Sequence, residues 1–269
     1  MSGFTAEWLS LREPYDLVAR NATVLAAVAG SLGSLGAVSV VDLACGTGAT
    51  LRALSRHLPS QQHWRLVDND LGLLGKAAML GRPPRLTVVG QPVDLARDLE
   101  LALASPLDLV TMSALLDLVS PEWLDRLVIE TAARRLPVYA TLTYDGRVTI
   151  EPADPFDAHI LSAFDLDQRA DKGFGPALGP AASARAIERY EHFGFAVEHG
   201  RSDWVLGPCD RSIQDALLGG LADVAATTSA EAAAESAHWL ARRRSDLALG
   251  RSRLRIGHVD FFARPMDTR

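Results

Sequence analysis

The stretch VVDLACGTGATLRAL, residues 40–54, limits the fold more than any other part of the chain. An apolar run ends in Asp42, passes through Gly46 and Gly48, and resumes with apolar residues at helical spacing. That is the pattern of a buried strand turning tightly into a helix, with glycines where the backbone must bend sharply or approach a ligand. Apolar runs at 38–43, 63–68, 85–90, 107–112 and 137–144 alternate with helix-spaced segments near 47–58, 70–80, 94–103 and 121–135. This alternation predicts an α/β fold, a doubly wound, mostly parallel sheet with helices on both faces.

Three ligand types compete for such a turn. A P-loop needs a lysine after its glycines, and none follows Gly46 or Gly48. A dinucleotide fingerprint needs a third glycine, and Leu51 stands there. What remains is D-x-A-x-G-x-G, formed by Asp42, Ala44, Gly46 and Gly48. With no pyrophosphate to receive, that backbone suits an amino-acid or nucleoside moiety.

DLACGTG resembles the first motif of the class I S-adenosylmethionine-dependent methyltransferases, over residues 38–144 and again 186–263. The resemblance implies a Rossmann-like seven-stranded sheet in the order 3214576, with an antiparallel last strand, and S-adenosyl-L-methionine as cofactor. It also implies residue roles. Asp68, with Asn69 beside it in RLVDND, would bind the ribose hydroxyls, because a carboxylate accepts two hydrogen bonds at once. Asp94 would accept the adenine amino group, Leu95 would pack on the ring, and Ser113 would sit near the sulfonium. Arg20, or Arg12 one helical face away, would reach the methionine carboxylate with its planar fork. Read alone, Asp68 and Asp94 are equally ordinary helix N-caps, and Asp16–Arg20 an ordinary i,i+4 ion pair.

The same reading divides a single domain, 1–269, into parts. Residues 1–36 form an N-terminal helical cap, with a helix from Pro14 to about Gly30. Residues 37–144 are the cofactor-binding core and 145–182 an insertion over the substrate. TYDGRVTI (143–150) opens that insertion as a hairpin turning at Asp145-Gly146. Residues 183–269 complete the sheet, with strand material at 195–206 and 255–264 and a helical insertion at 210–250. Its second helix is opened by Thr228 and Glu231 in capping-box spacing and closed by Gly250.

Composition narrows the partners. A net charge of −6, from 33 acids and 27 bases, disfavours nucleic acid. Two cysteines, Cys45 and Cys209, give no disulfide framework and suit a reduced, cytoplasmic protein. Residues 22–41 are uncharged and apolar, but Gly and Ser interrupt them and they feed the first strand, so no membrane span is expected. The segment RRRSDLALGRSRLR (242–255) holds six arginines and one acid. It suits either RNA or a solvated face complementing a helix C-terminus.

Methyl transfer needs a held nucleophile more than a fixed catalytic signature. Candidate catalytic residues are Asp117 past the fourth strand, Tyr144 ending the fifth, and His159. Gln168, Arg169 and Lys172 join them as substrate candidates, in a polar turn beside a Gly/Pro loop. Between 145 and 172 there are seven acids against three bases, which favours a neutral or amine substrate. The fourth-strand region lacks an Asn-Pro-Pro-Tyr motif, and the Pro-Cys pair at Pro208-Cys209 falls in the wrong place for pyrimidine chemistry. No metal is expected. The favoured reading is a small-molecule methyltransferase; an RNA or protein methyltransferase and a catalytically silent cofactor-binding module are the alternatives.

Overall fold

The computed structural model describes residues 4–81, 84–104 and 106–266. The parallel strands are β1 Val38–Leu43, β2 Gln62–Asp68, β3 Leu86–Pro92, β4 Leu109–Ser113 and β5 Val138–Glu151. β6 Phe195–Arg201, the short β7 Trp204–Leu206 and β8 Arg253–Pro265 complete one sheet. The order is β3-β2-β1-β4-β5-β8-β6, and β7 pairs with the start of β8. β8 runs antiparallel to both β5 and β6. This is the expected doubly wound order, with the antiparallel strand last. Strand order reverses between β1 and β4, which leaves a crevice at their carboxyl ends.

The period of two sorts side chains to the two faces of the sheet. Tyr139 and Phe262 point to one face with Val24, Val40, Trp64 and Leu66. That core is covered by α2 Ala22–Leu32, α3 Ala49–Leu54 and α4 Leu71–Ala78. Ala140 and Phe261 point the other way with Leu43, Val67, Met112 and Tyr190, beneath α5 Leu99–Ala102, α6 Pro121–Ala133 and α8 Ala182–His192. Each fully buried aliphatic side chain contributes about 1.5–3 kcal/mol. Burial on both faces explains why β1 and β4 read as unbroken apolar runs.

A third core builds a cap. β5 and β8 run on past the sheet, and α7 Asp157–Asp167, α9 Arg211–Ala226 and α10 Ala230–Ala248 pack around them. Ile160, Trp204, Ile213 and Trp239 fill this core, and one face of α1 Ala6–Ala19 (Trp8, Leu11, Tyr15) leans on it.

Four local expectations need correcting. Pro14 lies inside α1, not at a helix start; Thr5 caps α1, the backbone breaks at Arg20, and Asn21 caps α2. Asp145-Gly146 is not a hairpin turn. Gly146 has positive φ, but β5 continues through it, and the extra residues form an irregularity between Tyr144 and Val148 against β8. Strand material at 195–206 is two strands, because Ser202 and Asp203 interrupt it. α10 is capped by Ser229, whose Oγ accepts the Ala232 amide, rather than by Thr228.

Candidate functional site

The glycine turn is held in left-handed backbone, which glycine adopts freely and Ala44 only at a cost. Ala44, Gly46 and Gly48 have φ of +52°, +53° and +83°. A Cβ on Gly48 would lie 2.6 Å from Leu80 Cδ1, and one on Gly46 3.1 Å from Leu9 Cδ1. The Gly46 amide donates to Asp68 Oδ2 at 2.8 Å, and the Asp70 amide donates to Asp68 Oδ1 at 2.9 Å. Asp68 therefore joins two adjacent strand ends. It is not a helix cap: Asp70 caps α4 by accepting the Gly72 and Leu73 amides. Asn69 is exposed beside it. Cys45, buried within the turn, has its thiol pushed upward by burial and by the carboxylates of Asp42 and Asp68, so it stays protonated.

Asp42 lies beneath the turn, fully buried. Its Oδ1 accepts from Thr111 Oγ1 at 2.9 Å, and Oδ2 has no hydrogen-bond partner. Burial raises its pKa to about 7, against the opposing pull of Thr111 and Arg20. Arg20 reaches in from the end of α1. Its Nη1 donates to Thr141 Oγ1 at 2.9 Å, while its buried Nε is unpartnered. It lines a cavity of about 60 Å³ between α1 and α3, with Glu13, Asp16, Arg52 and Arg56. Arg52 binds Glu13 through both carboxylate oxygens and fastens α1 over the turn. The i,i+4 pair in α1 is Arg12–Asp16, not Asp16–Arg20.

Beyond β3, Asp94 is exposed; its Oδ1 accepts the Ala96 amide at 3.0 Å. Leu95 is buried in the core beneath α6, and its carbonyl accepts from Trp123 Nε1 at 2.6 Å. Ser113 ends β4, half-buried.

A second polar cluster sits where the sheet meets the cap. Asp117 is only 7% exposed and its Oδ1 has no hydrogen-bond partner. Burial lifts its carboxyl to about 6, although the Tyr144 amide and the Arg12 guanidinium favour the charged form. Tyr144 donates to Asp165 Oδ1 at 3.3 Å and packs edge-on to Phe164. Across the ladder its register partner is His258, 6% exposed, with Nδ1 unpartnered. Burial and the nearby Arg12 charge depress that imidazole to about 3. Arg12 binds Asp16 bidentately, at 2.9 and 3.2 Å, and lies 5.0 Å over the Trp204 ring. Trp204 in turn donates Nε1 to Asp16 and faces His258 at 5.3 Å between ring centroids.

Sequence reading named Asp117 and Tyr144 but missed His258, Trp204 and Asp165. The available signal was Ile256, His258 and Asp260 on one face of a strand otherwise built for burial. His159 does not join the cluster; it is exposed on α7 and stacks on Phe156. Lys172 is taken by Asp167 at 2.7 Å, Arg169 is exposed, and Gln168 is half-buried at the end of α7. Their loop instead docks by its backbone: Leu178 N donates to Val119 O at 2.8 Å, two residues beyond Asp117.

The arginine-rich segment pairs with carboxylates of the same chain, with Arg243 buried and the other paired arginines exposed. Arg242 pairs with Asp154, Arg243 with Asp157, Arg244 with Asp215, Arg251 with Asp246 and Arg255 with Asp203. Five of its six arginines thus meet the chain's own carboxylates. Among the described residues, no helix is long and apolar enough to cross a membrane.

No protein-family model and no curated protein matches the sequence. Among solved structures, the chain is similar to the YcgJ protein from Bacillus subtilis, at 13% identity and a TM-score of 0.54, over 92% of this chain and 100% of that one. It is equally similar to a cyclopropane-fatty-acyl-phospholipid synthase-like protein from Lactobacillus casei, at 14% identity and a TM-score of 0.54, over 96% and 94%. At such identities the likeness is one of fold, and the fold it establishes is the doubly wound, Rossmann-like sheet with its antiparallel last strand.

Proposed function

We propose that the protein is an S-adenosylmethionine-dependent methyltransferase acting on a small molecule. The observation that carries this reading is the joint of Gly46 to Asp68. The turn and the end of β2 together make a carboxylate-edged cradle at the topological switch point, where α/β sheets bind ligands.

The residues fit the cofactor. An ionised carboxylate offers about four lone-pair sites; Gly46 and Asp70 use two at Asp68, which leaves two for a ribose diol. Gly46 and Gly48 give the turn its left-handed backbone, and Gly48 lets it pack closely on Ala77 and Leu80. Arg20, whose buried Nε has no hydrogen-bond partner, is the cation we assign to a carboxylate-bearing tail. Asp94 and Asn69, both exposed at neighbouring strand ends, are the groups for the base and sugar edge. Bound there, the cofactor supplies an activated methyl group. The chain's own task is to orient the acceptor and exclude water. Leu9 Cδ1 lies over Gly46, so this side chain of α1 borders the cradle.

An RNA substrate is the weaker reading, because the arginines that would grip phosphate are spent within the chain. The test is a thermal shift with S-adenosylmethionine, S-adenosylhomocysteine and NAD side by side. A ligand at about 100 times its Kd adds roughly 2.7 kcal/mol. Stabilisation by the two sulfur nucleosides and not by NAD is the expected result; stabilisation by NAD alone, or by none, overturns the proposal.

A further inference from the structure

A groove of about 440 Å³ opens where α1 meets the corner between β6 and β7. α1 lines it with Tyr15, Val18 and Ala19, and β7 lines it with Trp204 and Val205. The groove is separate from the cradle. At about 100° per residue, Tyr15, Val18 and Ala19 stand on the face of α1 opposite Glu13, Asp16, Leu17 and Arg20. Those four line the smaller cavity on the side of α3 and the glycine turn. We propose that the groove is a second binding site, built for a small amphiphilic carboxylate: one carboxylate on an apolar body.

Its size fits, since small-molecule sites run from about 300 to 1,000 Å³. Charge decides the head group. The charged residues at the groove are Arg201, Asp203 and Arg255. Arg255 donates Nη1 to Asp203 Oδ2 at 3.1 Å and keeps its other N–H groups. The same carboxylate is already gripped by Arg147, at 2.7 and 3.1 Å, so Asp203 answers two guanidinia at once. Arg201 is exposed, and among the described residues its guanidinium meets no carboxylate. One positive charge therefore goes unanswered at the groove, in a chain whose net charge is −6. A monoanion answers it, and a carboxylate matches the planar guanidinium fork with two parallel hydrogen bonds.

The walls decide the body. Val18 is 86% exposed and Val205 63%, while Trp204 is almost fully buried and closes part of the floor. Strand register sets Val205 directly beside Arg255, so apolar surface and cation adjoin. An apolar body laid there takes both valines out of water. A peptide adding a strand is the poorer occupant, because β7 has only three residues to offer a main-chain ladder. A nucleotide brings more negative charge than the groove leaves unanswered.

The experiment titrates octanoate into the full chain by calorimetry, with 1-octylamine, 1-octanol and acetate as comparators. Octanoate should bind at least about tenfold more tightly than each of them, about 1.4 kcal/mol. Arg201→Gln should bring octanoate down to the affinity of octanol. Val18→Ser and Val205→Thr should each move it toward acetate. All three positions are exposed, so melting temperatures should hold and a loss of binding is not a loss of fold. Arg264→Gln removes another exposed arginine of β8, outside the groove, and should leave octanoate affinity unchanged. No octanoate binding, equal binding of any comparator, binding that survives Arg201→Gln, or an equal loss in Arg264→Gln overturns the site. None of these outcomes depends on whether the cradle binds S-adenosylmethionine.

Discussion

The Gly46 amide and Asp68 Oδ2, 2.8 Å apart, tie the turn after β1 to the end of β2. The bond is charge-assisted, and it fixes the carboxylate so that its free lone pairs point away from the turn. Asp68→Ala should therefore remove two kinds of interaction: the bonds to the ribose and the bond that shapes the cradle. Hydrogen bonds to charged groups contribute about 1.5–3 kcal/mol each. Calorimetry should show S-adenosylhomocysteine affinity reduced by about 100-fold or more. Tight binding by this variant would contradict the assignment of the crevice.

Gly48 tests the turn from its other side. Alanine there must adopt φ near +83° and place a Cβ 2.6 Å from Leu80 Cδ1. The backbone alone costs about 1–2 kcal/mol, and the overlap adds to it. Gly48→Ala should lower the urea midpoint accordingly. Adding Leu80→Ala should return the overlap component but not the backbone component. Full recovery in the double variant would mean that the left-handed conformation is not needed.

The turn was legible because each signal in it is local: an apolar run, an acid, two glycines, a helix-spaced continuation. The alternation of strand and helix implied a doubly wound, mostly parallel sheet, and the order of its strands came from the family resemblance that the turn carries. Asp145-Gly146 misled because a turn dipeptide also suits a bulge. What decides between them is β8, more than a hundred residues later, which pairs with β5 on both sides of Gly146. Pro14 misled because proline is favoured at the first position of a helix, where its missing amide costs nothing. Here Arg12–Asp16, Glu13–Arg52 and Tyr15–Asp210 hold α1 on either side of it. His258 was missed for a third reason. A histidine in a strand carries no motif, and only register sets it against Tyr144.

The contrast between buried Arg243 and its exposed neighbours leads to a stability prediction. Arg243 is almost fully buried; it binds Asp157 and the Pro152 carbonyl, and its guanidinium lies 5.5 Å from the Trp239 ring. Trp239 also donates to Asp157, so one carboxylate joins α7 to α10 twice. Arg243→Ala removes the cation from that carboxylate, and breaking such a buried pair costs about 3–5 kcal/mol. Chemical denaturation should show a loss of that order, and amide exchange should quicken in α7 and α10 before the sheet. Arg244→Ala, an exposed pair with Asp215, should change stability by less than about 1 kcal/mol.

Asp42 makes the stability of the protein depend on pH with a definite sign. Its pKa is about 7 in the folded chain, against an ordinary value of 3.8, because burial opposes the charged form. Between those values the folded chain keeps a proton that the unfolded chain has released. Stability therefore falls as pH rises through that window, and the whole loss is present above pH 7. Asparagine mimics the protonated acid and keeps an oxygen for the Thr111 hydroxyl. Asp42→Asn should match the wild type near pH 4 and exceed it near pH 8, by a few kcal/mol at most. Because the comparison is between variant and wild type at each pH, the titrations of Asp117 and His258 cancel. Melting curves for both proteins across pH 4–8 give the difference directly. A difference that is flat over this range, or that grows toward acid, would mean that Asp42 is ionised in its buried position at neutral pH, with Arg20 as its counter-ion.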